Sequence, residues 1–184
     1  MKIVNLLKPI SNNYLLVLQF ILFISLVSCS QKSSNNYPVK FDSDIEKNQI
    51  NLMLDSFNLA AAKADYKAYF NFYIDDAIFT GTDATERWDK KEFMHYAKPF
   101  FDKGKAWSFK SMERHIYFDK TGKVAWFDEL LNTQMKICRG SGVLIKQGNS
   151  WKIQQYILSA TIPNPIMDQV IKLKSGIEDS LINR

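Results

Sequence analysis

The chain has 184 residues, 24 of them Lys or Arg and 19 Asp or Glu, with a formal net charge of +5 and 14% aromatic side chains. The bases are scattered rather than gathered into a stripe, which argues against a nucleic-acid partner. Two His, with no Cys or acid cluster at ligand spacing, argue against a metal site, and nothing in the sequence calls for a cofactor.

In chain order, Lys2 and Lys8 precede an apolar run from Tyr14 to Val27, too short for a comfortable membrane span and shaped like the core of a secretory signal. The run ends in Leu26-Val27-Ser28-Cys29, which resembles the bacterial lipobox. That resemblance implies a lipoprotein signal peptide over residues 1–28, after which an acylated Cys29 anchors the protein to a membrane of the bacterial cell envelope. Cleavage removes Lys2 and Lys8 and no acid, which lowers the net charge from +5 to +3. Residues 29–41 are rich in Ser, Asn and Gln and read as a flexible tether. Their start, Ser30-Gln31-Lys32, lacks an acidic run, which by resemblance to envelope lipoproteins implies a periplasm-facing domain. With Cys29 lipidated, Cys138 is the one thiol left, so no intramolecular disulfide forms, and its place in a strand predicts a small buried apolar residue.

The remaining length suits one domain, residues 42–163, followed by a helix and tail over 164–184. Ser43-Asp44-Ile45-Glu46 is a capping-box pattern, and apolar residues from Ile50 through Leu54 and Phe57 to Ala64 recur at steps of three and four. They predict an amphipathic helix to about Lys63. Asp65 caps a short second helix through Phe72, and Asp75-Asp76 breaks the pattern before a brief strand, Ala77–Thr80, and the loop Gly81–Thr85. A capping box, Asp89 with Glu92, and a hydrophobic staple, Trp88 with Phe93, then open a third helix. Tyr96, Ala97, Phe100 and Phe101 continue its apolar face, and Pro99 kinks or closes it. Four strands follow as an antiparallel meander: Trp107–Phe118, Lys123–Leu131, Lys136–Lys146 and Trp151–Ala160. Gly122 suits the left-handed position of the first hairpin turn. Asn164 and Pro165 open a last helix with Ile166, Met167, Val170 and Ile171 on one stripe, its ordered part ending near Gly176.

This order resembles the nuclear transport factor 2-like superfamily, in particular its SnoaL-like and ketosteroid-isomerase-like domains, over roughly Ile45 to Pro163. The carriers are Asp65, Tyr73 with Asp75-Asp76-Ala77-Ile78-Phe79, Glu86-Arg87-Trp88, Val124-Ala125-Trp126-Phe127-Asp128-Glu129, Arg139-Gly140-Ser141-Gly142-Val143-Leu144 and Trp151-Lys152-Ile153. The resemblance implies an α+β fold: a cone-shaped, curved antiparallel sheet wrapped around N-terminal helices, cystatin-like, here with an added C-terminal helix. It also implies a pocket inside the cone for a small, largely apolar molecule. Related domains often carry a His two residues before the position of Ser159, where this chain has Ile157.

Within the meander, strand alternation sets Trp126, Asp128 and Leu130 on one face, and Arg139, Ser141 and Val143 on another. These faces are expected to point into the cone with Gln155 and Ile157, opposite a wall of Trp88, Tyr96 and Phe100, with Tyr73 adding a hydroxyl. Asp128, buried among aromatics, is the best candidate for a general base, with Tyr73 or Tyr96 as donor; the bland alternative pairs it with Arg114 or Arg139 as a structural ion pair. Two functions follow: an envelope lipoprotein that binds a small apolar ligand, or a cofactor-independent isomerase, dehydratase or cyclase acting by proton transfer. Both faces of the meander carry apolar residues, which predicts a homodimer covering Phe127, Leu144, Tyr156 and Leu158.

Overall fold

A computed structural model describes residues 41–183. The expected signal peptide, the expected lipidation site Cys29 and the expected tether up to Lys40 lie outside the described residues. Phe41, the last residue assigned to the tether, packs edge-on against Phe118 with ring centroids 5.1 Å apart.

The first helix, α1 (Ser43–Ala62), is capped one residue earlier than expected. The Asp42 carboxylate accepts from the Asp44 and Ile45 amides at 3.0 and 3.2 Å, which satisfies donors that the first helical turn leaves unpaired. Glu46 is thereby released from capping. It is buried instead, where it accepts from Trp151 Nε1 at 2.7 Å and pairs with Lys146. Ile50, Leu54, Phe57 and Ala61 form the buried stripe of α1. Asp65 caps α2 (Tyr66–Asn71) by accepting from the Ala68 amide at 2.9 Å.

Strand β1 (Tyr73–Thr80) begins four residues before the expected start, with Asp75 and Asp76 exposed along it. A three-residue strand that the sequence does not announce, β2 (Arg87–Asp89), pairs antiparallel with it and sets Trp88 opposite Phe79. The expected capping box opens α3 (Lys90–Asp102): the Glu92 amide donates to Asp89 at 2.9 Å and the Asp89 amide to Glu92 at 2.9 Å. The helix runs through Pro99 to Asp102. Trp107 to Phe109, expected in a strand, form the loop that leads into β3 (Lys110–Phe118).

The meander continues with β4 (Val124–Thr133), β5 (Lys136–Gln147) and β6 (Ser150–Ala160). Gly122 sits at φ 65° in the first turn, where a side chain would be strained. The six strands form one curved sheet in the order β2-β1-β6-β5-β4-β3, with β1 parallel to β6 and every other pair antiparallel. The fold is α+β, as expected, with α1, α2 and α3 packed on the inner face of the sheet.

The inner face is the reverse of the one expected. Ala125, Phe127, Glu129 and Leu131 of β4 are buried in the core with Cys138, Gly140, Gly142 and Leu144 of β5. Trp126, Asp128, Leu130, Arg139, Ser141 and Val143 therefore lie on the outer face. In β6 the register jumps from Val143↔Gln155 to Leu144↔Ile153, so one extra residue enters the strand. This bulge puts Tyr156 and Leu158 on the inner face with Trp151 and Ile153, and sends Gln155 and Ile157 outward. Phe127, Leu144, Tyr156 and Leu158, expected to face a dimer partner, are instead core residues.

A short 3-10 turn, Asn164–Ile166, leads into α4 (Met167–Ile182), which passes through Gly176 instead of stopping there. None of its residues is buried. Among the described residues no helix is long and apolar enough to cross a membrane.

Candidate functional site

A cavity of about 250 Å³ opens where β1, β2, α3, the loop before β3 and the β4–β5 turn converge. Its walls follow from local rules. Phe79 points inward from β1, and the β1–β2 register places Trp88 beside it, with ring centroids 6.1 Å apart and planes within 8°. The i, i+3, i+7 spacing of Phe93, Tyr96 and Phe100 on α3 brings all three to one face of the helix. Phe93 stacks on Phe79 at 3.9 Å and Trp88 on Tyr96 at 4.4 Å, while Trp107 in the next loop lies 5.8 Å from Phe93. Phe109, Met135 and Leu158 complete the apolar lining. Tyr96 and Phe100 are 42% and 43% exposed, so they stand at the mouth.

The polar groups in the lining are few: Thr82, Glu86 and Gln134, with the Tyr96 phenol. Glu86 is half-buried and closes the loop after β1. The Gly81 amide donates to the Glu86 carbonyl at 2.8 Å, and the Asp83 amide to Glu86 Oε2 at 3.2 Å. A Cβ at Gly81 would run into the Glu86 side chain, so only glycine lets the carboxylate fold over this loop. Burial raises the Tyr96 phenol above its ordinary pKa, and the charge of Glu86 adds to the effect, so the phenol is a neutral O–H donor at physiological pH. An apolar wall with a few convergent polar groups is the composition of a small-molecule site. A cavity of ~150 Å³ suffices for benzene, so this one has room for a single ring with a short substituent.

Of the residues expected in the pocket, Trp88, Tyr96 and Phe100 line this cavity. Tyr73 is buried behind it, its hydroxyl 3.3 Å from that of Tyr69. Trp126, Asp128, Arg139, Gln155 and Ile157 belong to the outer face of the sheet. Trp126 is 46% exposed and stacks on Tyr117 at 5.9 Å. Asp128 sits between His115 of β3 and Ser141 of β5 in the register. Asp128 does not line the cavity, so the general-base role expected of it inside the cone loses its physical ground.

The interior acid is its neighbour. Glu129, 1% exposed, receives Arg114 Nε at 2.9 Å and Nη2 at 2.8 Å, and Tyr156 donates to it at 3.3 Å. Arg114 also reaches α1, donating to Asn51 Oδ1 at 3.1 Å and Asp55 Oδ1 at 3.0 Å. Burial raises the Glu129 carboxyl above its ordinary value, and Arg114 pulls it part of the way back. Gly140, paired with Glu129 in the register, leaves the room that this carboxylate and the Tyr156 hydroxyl occupy. Glu129 does not line the cavity; it ties the sheet to α1. The structural ion pair expected of Asp128 is therefore made by Glu129 with Arg114.

The sequence reading missed Glu86, Phe79 and Phe93 as lining residues, although all three stood in motifs it singled out. Gln134, Met135 and Leu158 had no local signal, because the β4–β5 turn and β6 reach the site only through the curvature of the sheet. Among the described residues no group of three His, Cys, Asp or Glu is placed to hold a metal ion.

The fold is similar to that of several solved structures. A nuclear transport factor 2-like protein of unknown function from Pseudomonas putida has a TM-score of 0.57 at 14% identity, over 66% of this chain and 91% of that one. A protein of unknown function with a cystatin-like fold from Nostoc punctiforme has a TM-score of 0.53 at 13% identity, over 66% and 96%. A Streptomyces avermitilis protein of the nuclear transport factor 2-like family, provisionally named a dehydratase, has a TM-score of 0.56 at 13% identity, over 66% and 100%. At such identities the likeness speaks for the fold alone. The comparison with curated proteins found no match. The SnoaL-like domain family matches residues 50–163, more than half of the chain. That span holds the whole sheet and every residue of the cavity wall, and the chain belongs to the SnoaL-like domain family.

Proposed function

We propose that this chain is a lipid-anchored protein of the bacterial envelope whose SnoaL-like domain binds a small, largely apolar molecule in the cavity walled by Trp88, Tyr96 and Phe100. The observation that carries the reading is the cavity itself: about 250 Å³, walled by stacked aromatic rings, with polar groups confined to a few positions. Burial of a ring there supplies affinity at roughly 25 cal/mol per Å² of apolar surface removed from water. Quenching of Trp fluorescence by an apolar ring probe tests it. Trp88→Ala should weaken the probe by about tenfold, equivalent to ~1.4 kcal/mol, with an unchanged circular dichroism spectrum. Absence of quenching in the parent protein would overturn the reading.

The anchor rests on Leu26-Val27-Ser28-Cys29. Cys29→Ala should leave an uncleaved precursor or release the domain from the membrane fraction, and a variant still processed and membrane-bound would refute lipidation. Protease shaving of intact cells should spare a periplasm-facing domain.

A proton-transfer enzyme, an isomerase, dehydratase or cyclase, is the second reading, favoured by a carboxylate and a neutral phenol in one cavity. Glu86 would take the proton and Tyr96 would donate a hydrogen bond to the developing oxyanion.

The proposal extends to a homodimer formed over the outer face of the sheet. Tyr117, Trp126 and Ile137 are exposed there. Asp128 and Arg139 lie on neighbouring strands of this face, and neither makes an ion pair among the described residues. A two-fold partner would bring the Arg139 of one copy to the Asp128 of the other.

A further inference from the structure

We infer that the ligand of this cavity is an organic cation, a ring or short apolar body carrying an ammonium group. The inference rests on the proposal that the cavity binds a small molecule and adds the sign of its charge. Glu86 is the one charged residue among the described residues that line the cavity; no Lys, Arg or His joins it. That is contrary to the composition, since the chain carries 24 Lys and Arg against 19 acids. The bases nearest in sequence are turned elsewhere. Arg87 lies on the outer side of β2, opposite in sense to Trp88, and Lys90 Nζ is held by the Tyr73 carbonyl at 3.0 Å and Asp75 at 3.1 Å.

The carboxylate is both placed and free to receive a partner. The Asp83 amide occupies Oε2, and among the described residues Oε1 takes no hydrogen bond. Gly81 is what lets the carboxylate lie over the loop at the cavity rim. The aromatic rings agree with the carboxylate in sign, because a ring face is the negative pole of its quadrupole and attracts a cation, Trp most strongly. Trp88 and Tyr96 line the cavity with Glu86 and stack on each other at 4.4 Å, so an ammonium held by the carboxylate can meet them only on the faces they turn away from one another. An anionic ligand would meet Glu86 with no base to offset it, which places carboxylates and phosphates among the rejected ligands.

Three probes of nearly equal shape separate the charge from the ring: phenethylamine, 2-phenylethanol and 3-phenylpropionate, titrated by Trp fluorescence into the purified full chain at pH 7. The ammonium probe should bind at least tenfold more tightly than the alcohol, and the carboxylate should bind more weakly than both. In Glu86→Gln the amine should lose at least fivefold more affinity than the alcohol loses, so that the two fall to within about twofold of each other. Alcohol or carboxylate binding as tight as the amine in the parent chain would overturn the inference while leaving the apolar-ligand proposal standing. Failure of all three to bind would overturn both. An amine preference that survives Glu86→Gln would also overturn it, because the discriminating charge would then lie elsewhere.

Discussion

Glu129 is buried on the inner face of β4, and it is held there because Arg114 of β3 offers it two nitrogens within 3 Å while also bonding Asn51 and Asp55 of α1. Removing one member of such a pair leaves an uncompensated buried charge, so Arg114→Met should cost about 3–5 kcal/mol of unfolding free energy by chemical denaturation. The pH dependence follows from the raised Glu129 carboxyl. In a group whose folded pKa is raised, the stabilisation is fully present below the unfolded value and is lost as pH rises through the folded one. The Arg114→Met penalty should therefore be largest at neutral pH and shrink towards the ordinary carboxylate range, where Glu129 is protonated. Arg114→Met combined with Glu129→Leu should recover most of the loss, and equal penalties at pH 5 and pH 8 would refute the assignment. Trp126→Ala, by contrast, should leave probe binding at its parent level, because that ring lies outside the cavity wall. At this scale the residue types were legible and their partners were not. Asp128 and Glu129 are adjacent acids, and which one the fold buries depends on Arg114 and Gly140 from the two flanking strands.

Helix α3 brings three of the cavity's rings to one face, and its start is set by the reciprocal Asp89–Glu92 capping box. Asp89→Ala should cost about 1 kcal/mol of stability. Because Trp88 precedes the cap, the same variant should weaken ring-probe binding; a binding constant unchanged beside a lowered melting temperature would uncouple the cap from the site. Helix α4 behaves differently. Ile171, Leu173 and Ile177 are exposed, and no residue of the helix is buried. Truncation after Pro163 should change the unfolding free energy by less than ~0.5 kcal/mol, the range of surface changes. A larger loss would show α4 packed on the domain. The three-four periodicity announced α1 and the Asp89–Glu92 capping box announced α3 because both signals are local, whereas the box read at Ser43 does not form, since Asp42 caps α1. Strand β2 escaped notice because three residues are too few to show alternation. The Trp107–Phe109 loop read as strand because aromatic residues favour strands, whereas here they turn in to line the cavity or pack on the core. Gly176 failed as a stop because a helix interior tolerates glycine at a cost of roughly 1 kcal/mol.

Whether the outer sheet face is covered is a property of the whole molecule. The full chain should run as a dimer by light scattering at tens of micromolar, and Trp126→Arg should make it monomeric with little change in unfolding free energy; a monomeric parent chain would refute the two-fold arrangement. The order of the helices and of every strand but β2, and the aromatic character of the pocket, were determined by the sequence alone, since they rest on local periodicity, caps and composition, while the SnoaL-like architecture was read from a resemblance carried by short motifs. Only the tertiary structure decided which face of the meander turns inward. Alternation with a period of two separates a strand into two faces without saying which is buried, and here both faces carry apolar residues. The choice was made by contacts far apart in sequence: Arg114 neutralising Glu129, Gly140 making room for that carboxylate and the Tyr156 hydroxyl, and one extra residue in β6 resetting its register. The cavity has the same origin, since Phe79, Trp107, Met135 and Leu158 meet only when the sheet curves around α3.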